Sequence, residues 1–388
     1  MLIQFTVENH RSIKNSAVIS FAASKDKSFE EYLLHPDEKK ALLPVLAIYG
    51  ANAAGKSNVL HAMMTMKEMV VGNSAKVSKG QKLPWEPFGG TKEPTSFEMV
   101  FIFQGVRYTY GFSFDEKKIY KEYLYHWPNG REALIFSREN GLYEFRENVN
   151  EQVILSNRTP DNKLYLVSSN DWNLPQTENA YRWFLEKLSF LMDEEPATSE
   201  TVAQIAGGDD KKARILKELL LADLGITDVT IKNTSGKIPV ITTTHRIINE
   251  DGTTEYFQLL MEQESAGTQH FFARIGGWLQ ALENGALLVV DEIEDSLHPL
   301  LTRRLIEMVQ DKAINTKGAQ LIFTTHDAML LDLNFFRRDQ IWFAEKNDET
   351  CATELYSLAS FSPRKGENVR KGYLQGRFGA IPFIGGDA

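Results

Sequence analysis

The chain opens with the patterns of strands separated by polar segments. Apolar and polar residues alternate over 1–9 (MLIQFTVEN), which predicts a half-buried strand, and the run 18–24 predicts a second strand. Residues 25–40 are charged and polar, so we predict a surface loop there. The run 42–50 is almost wholly apolar and ends in glycine, and 57–71 is rich in residues that favour a helix. A buried strand followed directly by a helix is therefore predicted.

The next region is predicted to form a loop and then a sheet. Gly, Pro, Ser and Lys dominate 72–96, whereas 97–146 is rich in Phe, Tyr, Val and Ile. Turn sequences at Gln104-Gly105 and at 128–130 divide the second stretch. This arrangement favours an antiparallel sheet.

The second half of the chain alternates between the patterns of helices and strands. Residues 176–224 are typical of helices, with interruptions near Pro196 and Gly207-Gly208. The elements predicted after them are strands at 228–232, 238–248 and 255–260, a helix at 266–283, a strand at 286–291, a helix at 299–312, a strand at 319–324 and a last strand near 340–345.

Composition excludes several classes of protein. The 388 residues are 43% apolar and 24% charged, enough for one large core or two smaller ones. A net charge of −9 opposes indiscriminate nucleic-acid binding, although a local basic patch stays possible. Cys351 is the only cysteine, which excludes a disulfide framework. The start lacks the apolar core of a signal peptide, and no apolar run approaches the ~20 residues of a membrane helix, so we predict a cytoplasmic protein.

The strongest motif is the segment from Gly50 to Ser57 (GANAAGKS), which fits G-x-x-x-x-G-K-[ST] between the predicted strand and helix. Its backbone N–H groups and the helix N-terminus suit phosphate, whereas the alternative is a chance glycine-rich turn. Lys56 is predicted to reach the β- and γ-phosphates and Ser57 to ligate Mg²⁺. The predicted ATP-binding residues of this segment are Gly50, Asn52, Gly55, Lys56, Ser57 and Asn58.

Two further apolar runs end in residues that suit hydrolysis. The run 287–290 delivers Asp291 and Glu292 to the edge of an α/β sheet where ligands bind. Asp291 is predicted to bind Mg²⁺ and Glu292 to polarise the attacking water, although strands that end in Asp-Glu are common. The run 321–325 ends at His326, which we predict to contact the γ-phosphate, whereas a lone histidine is usually structural.

The segment 264–269 (ESAGTQ) resembles the signature motif of ABC-type ATPases. The resemblance implies that Ser265 and Gly267 contact the γ-phosphate held by another subunit. A helix N-terminus with a hydroxyl is an anion site on physical grounds as well, and the plainer alternative is an ordinary serine N-cap. ATP would then lie between two heads, in a homodimer or a higher even oligomer.

The order of these motifs resembles the SMC/RecF/OLD branch of the ABC-type ATPases. The opening 5–12 (FTVENHRS) resembles the "ENFRS" start of that branch, with His10 where an aromatic residue is usual. The resemblance implies that Arg11 and Ser12 lie beside the nucleotide; the alternative is a surface turn.

Two other segments resemble a narrower group, the bacterial AAA-type abortive-infection ATPases (RloA/AbiL-like). They are 291–299 (DEIEDSLHP) and 373–382 (YLQGRFGAIP). In that group, the segment after the carboxylates forms a loop at the interface between heads. Residues from about 73 to 255 carry no such resemblance.

The chain also departs from the wider branch. The insertion of about 190 residues lacks heptads, which argues against a DNA-capturing coiled coil. Only 62 residues follow His326, too few for the nuclease domain of OLD-type proteins. A glutamine that senses the γ-phosphate is expected; Gln104 is a weak candidate, and a plain hairpin turn is the favoured explanation of this residue.

We therefore predict an α/β fold, an ABC-type P-loop ATPase head with a mixed sheet core, an antiparallel β-subdomain and a mainly helical insertion. Residues 1–146 are predicted to form the N-terminal part of the head, 147–250 the insertion, and 251–388 the C-terminal part. The cofactors implied are ATP and Mg²⁺. The insertion is either a docking surface for a partner or a simple lid or scaffold.

The favoured function is an ATP-hydrolysing switch of a bacterial anti-phage, abortive-infection system that controls a separate effector, a nuclease or toxin. The alternative is a RecF-like DNA-binding repair or recombination ATPase. A transporter ATPase is a weaker third hypothesis, because Glu264 stands where the signature usually has leucine. The DNA-binding alternative draws on basic residues in the tail, which equally form a solvated face: Arg364, Lys365, Arg370, Lys371 and Arg377.

Overall fold

The computed structural model describes residues 1–37, 40–72, 76–192, 198–222, 225–232, 239–364 and 366–382. Its strands are β1 (Leu2–Glu8), β2 (Ala17–Ser20), β3 (Leu34–Asp37), β4 (Lys40–Leu42), β5 (Val45–Tyr49), β6 (Thr95–Phe103), β7 (Val106–Phe114), β8 (Ile119–Trp127), β9 (Ala133–Glu139), β10 (Leu142–Phe145), β11 (Leu188–Leu191), β12 (Ile226–Lys232), β13 (Val240–Ile248), β14 (Thr254–Leu260), β15 (Leu287–Val290), β16 (Gln320–Thr325), β17 (Ile341–Lys346) and β18 (Thr353–Ser357). Its α-helices are α1 (Lys56–Val71), α2 (Val149–Arg158), α3 (Tyr165–Asp171), α4 (Pro175–Glu186), α5 (Ser199–Ala206), α6 (Asp209–Leu221), α7 (Ala266–Asn284), α8 (Pro299–Gln310) and α9 (Val369–Leu374).

A six-stranded sheet forms the centre of the molecule, in the order β11-β15-β16-β5-β17-β18. Its strands run parallel except β18, which pairs antiparallel with β17. The strands β5 and β15 are continuous apolar runs, and all residues of β5, β15 and β16 are buried, as expected for parallel strands covered on both faces. The carboxyl ends of these three strands therefore meet at one edge, where ligands of such sheets bind.

The two faces of this sheet belong to different parts of the core. Leu46 and Ile48 of β5 pack in the cluster that includes α1, whereas Val45, Ala47 and Tyr49 pack in the cluster that includes α7 and α8. This alternation follows from the period of two in a strand. Both faces of β5 are thereby withdrawn from water, and the loop after β5 is held on a buried base.

A seven-stranded antiparallel sheet, in the order β10-β9-β8-β7-β6-β1-β2, flanks the centre. Phe101 stacks on Trp183 of α4 with ring centroids 4.2 Å apart, so the aromatic residues of this sheet join it to the helices. The predicted antiparallel sheet is confirmed, and its turns at Gln104-Gly105 and 128–130 lie where the sequence placed them.

Three predictions of local structure were wrong. Leu188–Leu191, predicted to be helical, is the strand β11, which pairs in parallel with β15. A four-residue apolar run has no distinguishing period, so pairing with a neighbour decides its state. The loop predicted at 25–40 contains the strand β3, and β18 follows the strand that was predicted to be the last. The interruption predicted near Pro196 lies outside the described residues.

The stretch predicted as an insertion is partly joined to the head. It contributes α3 and α4 to the core cluster shared with the first 146 residues and β11 to the central sheet. Further along, α5 crosses α7 closely, because a Cβ at Gly276 would lie 2.3 Å from the Cα of Thr201. The boundaries at 147 and 250 stay a prediction. Within the described residues, no helix combines the length and the apolar character that a bilayer crossing requires.

Candidate nucleotide-binding site

The predicted phosphate loop joins the buried end of β5 to the first residue of α1. Gly55 adopts a φ of +95°, and a Cβ there would lie 1.9 Å from Oγ1 of Thr353. A Cβ at Gly50 would lie 2.3 Å from the carbonyl oxygen of Ala344. Both glycines are therefore required by the conformation and by the close approach of neighbouring chain. The loop leads directly into the N-terminus of α1, with Gly55 as its N-cap.

Lys56 is the most buried charge of this loop, with 5% of its surface exposed. Its ammonium donates to the carbonyl oxygens of Gly50 at 3.0 Å and Ala51 at 3.1 Å, and lies 3.0 Å from Nε2 of His326. Burial lowers the pKa of Lys56, whereas the nearby charge of Glu292 opposes that shift. A buried cation held by uncharged carbonyl oxygens fits an anion such as a triphosphate.

Asp291 lies beside the start of α1. Ser57 donates from Oγ to Oδ1 of Asp291 at 3.1 Å, and the hydroxyl of Thr324 donates to the same oxygen. Thr324 in turn accepts from the backbone N–H of Glu292 at 2.8 Å. Hydroxyl and carboxylate oxygens are the ligands that Mg²⁺ prefers, usually with phosphate oxygens from a substrate. The hydroxyl of Ser57 and the carboxylate of Asp291 therefore fit a Mg²⁺ ion brought with a nucleotide.

Glu292 and His326 face each other across the site. Oε1 of Glu292 lies 3.5 Å from Nε2 of His326, and the Glu292 side chain is 56% exposed, so solvent reaches it. The backbone N–H of His326 donates to Oε1 of Glu294 at 2.5 Å. Oε2 of Glu294 is buried and has no hydrogen-bond partner among the described residues. Glu294, to which the sequence assigned no role, therefore holds the histidine loop against the carboxylate loop.

Ser12 and Asn58 meet at the back of the phosphate loop, together with a residue that sequence reasoning missed. Nδ2 of Asn58 donates to Oγ of Ser12 at 2.7 Å, and that oxygen lies 2.7 Å from Oγ1 of Thr353. Thr353 donates to the carbonyl oxygen of Ala54 at 2.9 Å. Ser12 thus contacts the phosphate loop and the start of α1, and its position beside a nucleotide stays a prediction. The sequence held no sign of Thr353, which lies in a region without a motif.

The structure gives Arg11 a different setting. Its Nε lies 2.5 Å from Oε2 of Glu86, and its backbone N–H donates to the Glu86 carbonyl at 2.8 Å. This contact lowers the pKa of Glu86. The neighbouring His10 is fully buried, and its ring meets that of Phe97 edge to face at 5.4 Å. The imidazole ring of His10 thus packs at the position where an aromatic ring is usual. No residue of the phosphate loop accepts a hydrogen bond from Arg11 in the described part of the chain.

The side chain of Asn52 and the signature segment lie apart from these contacts. Asn52 is exposed at the outer surface of the phosphate loop. Ser265 is the N-cap of α7, and its Oγ accepts from the backbone N–H of Thr268 at 3.2 Å. A Cβ at Gly267 would lie 3.1 Å from the carbonyl oxygen of Ser296.

A cavity of about 610 Å³ opens at this N-terminus of α7. Its lining contains no residue of the phosphate loop: Leu221, Ala222, Ser265, Gly267, Thr268, His298, Leu300, Leu301 and Arg304. Within one chain, the structure therefore does not bring Ser265 and Gly267 together with Lys56. What it does connect is the signature helix and the carboxylate loop, because the buried guanidinium of Arg274 donates to the carbonyl oxygens of Ile293 at 3.0 Å and Asp295 at 3.3 Å.

Glu264, which replaces the usual leucine, turns inward. Its carboxylate accepts from the hydroxyl of Thr243 at 2.5 Å and lies 2.6 Å from Nε2 of His245. Both partners belong to β13, and His245 stacks on Phe257 of β14 at 5.0 Å. Glu264, the residue directly before Ser265, is thus fixed to the three-stranded sheet β12-β13-β14 by its carboxylate.

The structure also shows where the residues of two weaker predictions lie. Gln104 lies in the β6–β7 turn with a φ of +49°, beside Met1 and Arg182, so the hairpin explanation is confirmed.

In the tail, Arg377 pairs with Glu367 and Arg370 contacts the sulfur of Met329, whereas Lys365 lies outside the described residues. One cation of the described tail, Arg377, is therefore engaged in an ion pair.

Comparison with known proteins places the chain in a family. This chain is similar to the SMC head domain from Thermotoga maritima, with 11% sequence identity, a TM-score of 0.41 and coverage of 92% of this chain and 98% of that one. None of the curated proteins matches the chain. Residues 45–332, well over half of the 388, match the family described as "AAA domain, putative AbiEii toxin, Type IV TA system". The chain therefore belongs to this family of ABC-like P-loop ATPases, as its motifs predicted.

Proposed function

We propose that this protein is an ATP-hydrolysing switch of a bacterial anti-phage system and that two copies close around ATP. One observation carries the proposal: Lys56, Ser57, Asp291, Glu292 and His326 converge at a single sheet edge from three separate strands. Phosphoryl transfer to water needs a cation, a pair of oxygens that can bind a metal and an exposed carboxylate, all at one place.

Each residue of the set has a separate role in the proposal. Lys56 leaves its carbonyl partners and binds the β- and γ-phosphates, while Ser57 and Asp291 would hold Mg²⁺, which would supply positive charge next to the phosphates. Glu292 accepts a proton from water as the water oxygen bonds to the γ-phosphorus. The bond from that phosphorus to the β-phosphate oxygen breaks, giving ADP and phosphate. His326 lies between Lys56 and Glu292 and hydrogen-bonds to the γ-phosphate.

The proposal that the signature segment of one chain contacts ATP held by another chain rests on the residues that surround this segment. Ser265 and Gly267 border a cavity that no phosphate-loop residue of the same chain lines. The N-terminus of α7 nevertheless offers free N–H groups and a hydroxyl, which suit an anion. A second copy supplies that anion when its bound ATP enters the cavity, so the working unit is a homodimer or a higher even oligomer.

The wider role is inferred from the family. The family description names a toxin and a toxin–antitoxin system, which supports a defence role in which ATP-driven closing and opening controls a separate effector. Such a switch works in the cytoplasm, where ATP is supplied. Residues 147–250, as far as they are described, offer a docking surface for that effector.

The variant Glu292→Gln tests the proposal. It removes the proton acceptor while keeping the shape of the side chain, so it should bind ATP, lose turnover and accumulate as a dimer in size-exclusion chromatography with light scattering. The matched control is Glu307→Gln, an exposed carboxylate on α8 that should leave turnover and the oligomeric state unchanged. A Glu292→Gln protein that stays monomeric at saturating ATP would refute the two-copy site, and one with normal turnover would refute the role of Glu292.

The effector is tested separately by ATP-dependent co-purification with the product of a neighbouring gene. DNA binding that is stimulated by ATP, weakens with salt and is lost when Arg370 and Lys371 are neutralised would instead favour the RecF-like alternative.

A further inference from the structure

The backbone of His326 begins where the pairing of two strands stops. The last pair between β5 and β16 joins Tyr49 to Thr325, so the N–H of His326 lies beyond the strand ladder. That N–H donates instead to Oε1 of Glu294, at 2.5 Å. A charged acceptor makes a backbone hydrogen bond shorter and stronger than a neutral one does. The first residue of the histidine loop is therefore held by a side chain from the loop after β15.

Glu294 extends from a segment that is fixed on two sides. The buried guanidinium of Arg274, on α7, donates to the carbonyl oxygens of Ile293 and Asp295. These are the residues directly before and after Glu294. The backbone N–H of Ile293 donates to the carbonyl oxygen of Thr324 on β16, at 3.1 Å. Because the flanking backbone is held both by the signature helix and by the central sheet, the carboxylate has a defined starting point.

The remainder of the Glu294 carboxylate is enclosed. Its Oε2 is buried, and the bond to His326 is the only hydrogen bond that the side chain makes within the described part of the chain. Burial raises the pKa of the Tyr49 hydroxyl, and the nearby charges of Asp327 and Glu294 add to that shift. The charge of Glu294 also opposes the lowering of the Lys56 pKa by burial. The carboxylate thus lies close to the phosphate loop but is hydrogen-bonded to the histidine loop.

We infer that Glu294 is a positioning residue for ATP hydrolysis, which acts by holding His326 in place. This inference rests on the proposed function. The imidazole lies 3.0 Å from Nζ of Lys56 and 3.5 Å from Oε1 of Glu292. A displacement of about 1 Å is enough to impair a reaction that depends on such contacts. The backbone bond at His326 fixes the point from which the imidazole reaches between the two charges.

The two carboxylates of this loop differ in what they can reach. The Glu292 side chain is 56% exposed, so water has access to it. In Glu294, one oxygen is buried and the other accepts from a backbone N–H. A proton acceptor must touch the water that it activates, which suits Glu292. Glu294 therefore acts through the histidine and not on the water.

Two substitutions of Glu294 separate its hydrogen bond from its charge. Glu294→Ala removes the acceptor, whereas Glu294→Gln keeps an oxygen in its place. We expect the alanine variant to lose turnover roughly tenfold or more while its affinity for ATP stays within a few-fold. Glutamine should restore most of the lost turnover. Phosphate release at saturating ATP and isothermal titration with a slowly hydrolysed ATP analogue measure the two quantities. Glu307→Ala, which removes an exposed carboxylate on α8, is the matched control.

A double-mutant cycle tests whether Glu294 acts through His326. If it does, Glu294→Ala should have little further effect in the His326→Gln chain, because the group that it positions is already gone. Fold losses that multiply in the double variant would show that the carboxylate acts independently of the histidine, and would overturn the inference. Urea unfolding of each variant separates a loss of stability from a loss of turnover.

The glutamine variant keeps the inference testable even if alanine destabilises the fold. A folded Glu294→Gln protein as inactive as Glu292→Gln would show that the charge is needed and would overturn the positioning role. Normal turnover of a folded Glu294→Ala protein would overturn it too, and would leave the proposed function intact. An unchanged protein that releases no phosphate from ATP would instead overturn the proposed function, and the inference with it.

Discussion

The ammonium of Lys56 lies 3.0 Å from Nε2 of His326, although 270 positions separate the two residues in the chain. The contact follows from strand register, because Tyr49 at the end of β5 pairs with Thr325 at the end of β16. The next residue of each strand, Gly50 and His326, therefore begins its loop at the same level. We therefore expect a phosphate that binds Lys56 to meet the imidazole as well, and measurements of binding and of turnover distinguish the roles of the two residues.

Replacing Lys56 tests nucleotide binding. Lys56→Ala removes the buried cation, and we expect the affinity for ATP to fall by about tenfold or more, because hydrogen bonds to charged groups contribute roughly 1.5–3 kcal/mol each. Isothermal titration with a slowly hydrolysed ATP analogue measures the change. Lys117→Ala, at an exposed position in the turn before β8, is the matched control. An affinity equal to that of the unchanged protein would remove Lys56 from the site.

Replacing His326 tests the chemical step. His326→Gln keeps a hydrogen-bonding side chain but loses the imidazole between Lys56 and Glu292, so ATP should still bind within a few-fold while turnover falls by about tenfold or more. Phosphate release under saturating ATP reports turnover, and the titration above reports binding. Equal losses in both quantities would instead indicate a collapsed loop. Normal turnover would show that the histidine is structural.

The motifs could be predicted because each is local. Glycine spacing, the apolar run before it and the helix after it lie within about twenty residues of Lys56, and Asp291 and His326 each directly follow a run rich in apolar residues. The strand that carries each motif is buried on both faces, which its apolar composition predicted. For these strands, the local sequence pattern predicts the observed position, because both the pattern and burial in the central sheet require apolar residues.

The contacts behind the site could not be predicted in this way. Ser12 and Thr353 touch across 341 positions, and Thr324 contacts Asp291 through its hydroxyl from a neighbouring strand. These pairings depend on which strands become neighbours, and no local pattern records that. The misassigned β11 has the same cause, because its state is decided by pairing with β15.

The Thr353 hydroxyl gives a prediction about the phosphate loop. Thr353→Val keeps the shape but leaves the Ala54 carbonyl and Oγ of Ser12 without this partner, so the free energy of unfolding should fall by roughly 1–3 kcal/mol. ATP affinity should fall as well, because Ala54 adjoins Gly55. Urea unfolding and the ATP titration measure the two effects. Thr353→Ser, which retains the hydroxyl, should restore both; if serine behaves like valine, the methyl group rather than the hydrogen bonds carries the role.

His10 gives a prediction about pH. Burial lowers the pKa of His10 from 6.5 to about 4, and the neighbouring charge of Arg11 acts in the same direction. The folded chain therefore keeps the ring neutral at pH values where the unfolded chain protonates it. Unfolding takes up a proton as the pH falls from 6.5 toward 4, so the stabilisation is present above the unfolded value and is lost on acidification.

His10→Phe removes that titration while keeping a ring against Phe97. A shift of one pKa unit corresponds to about 1.4 kcal/mol, so the unchanged protein should lose about 2 kcal/mol more stability than the variant between pH 7 and pH 5. Urea unfolding at both pH values gives this double difference, in which any packing effect of phenylalanine cancels because it is the same at each pH. Parallel losses in the two proteins would mean that the imidazole takes up a proton in the fold as readily as in the unfolded chain, and burial of the ring would then not oppose its charge.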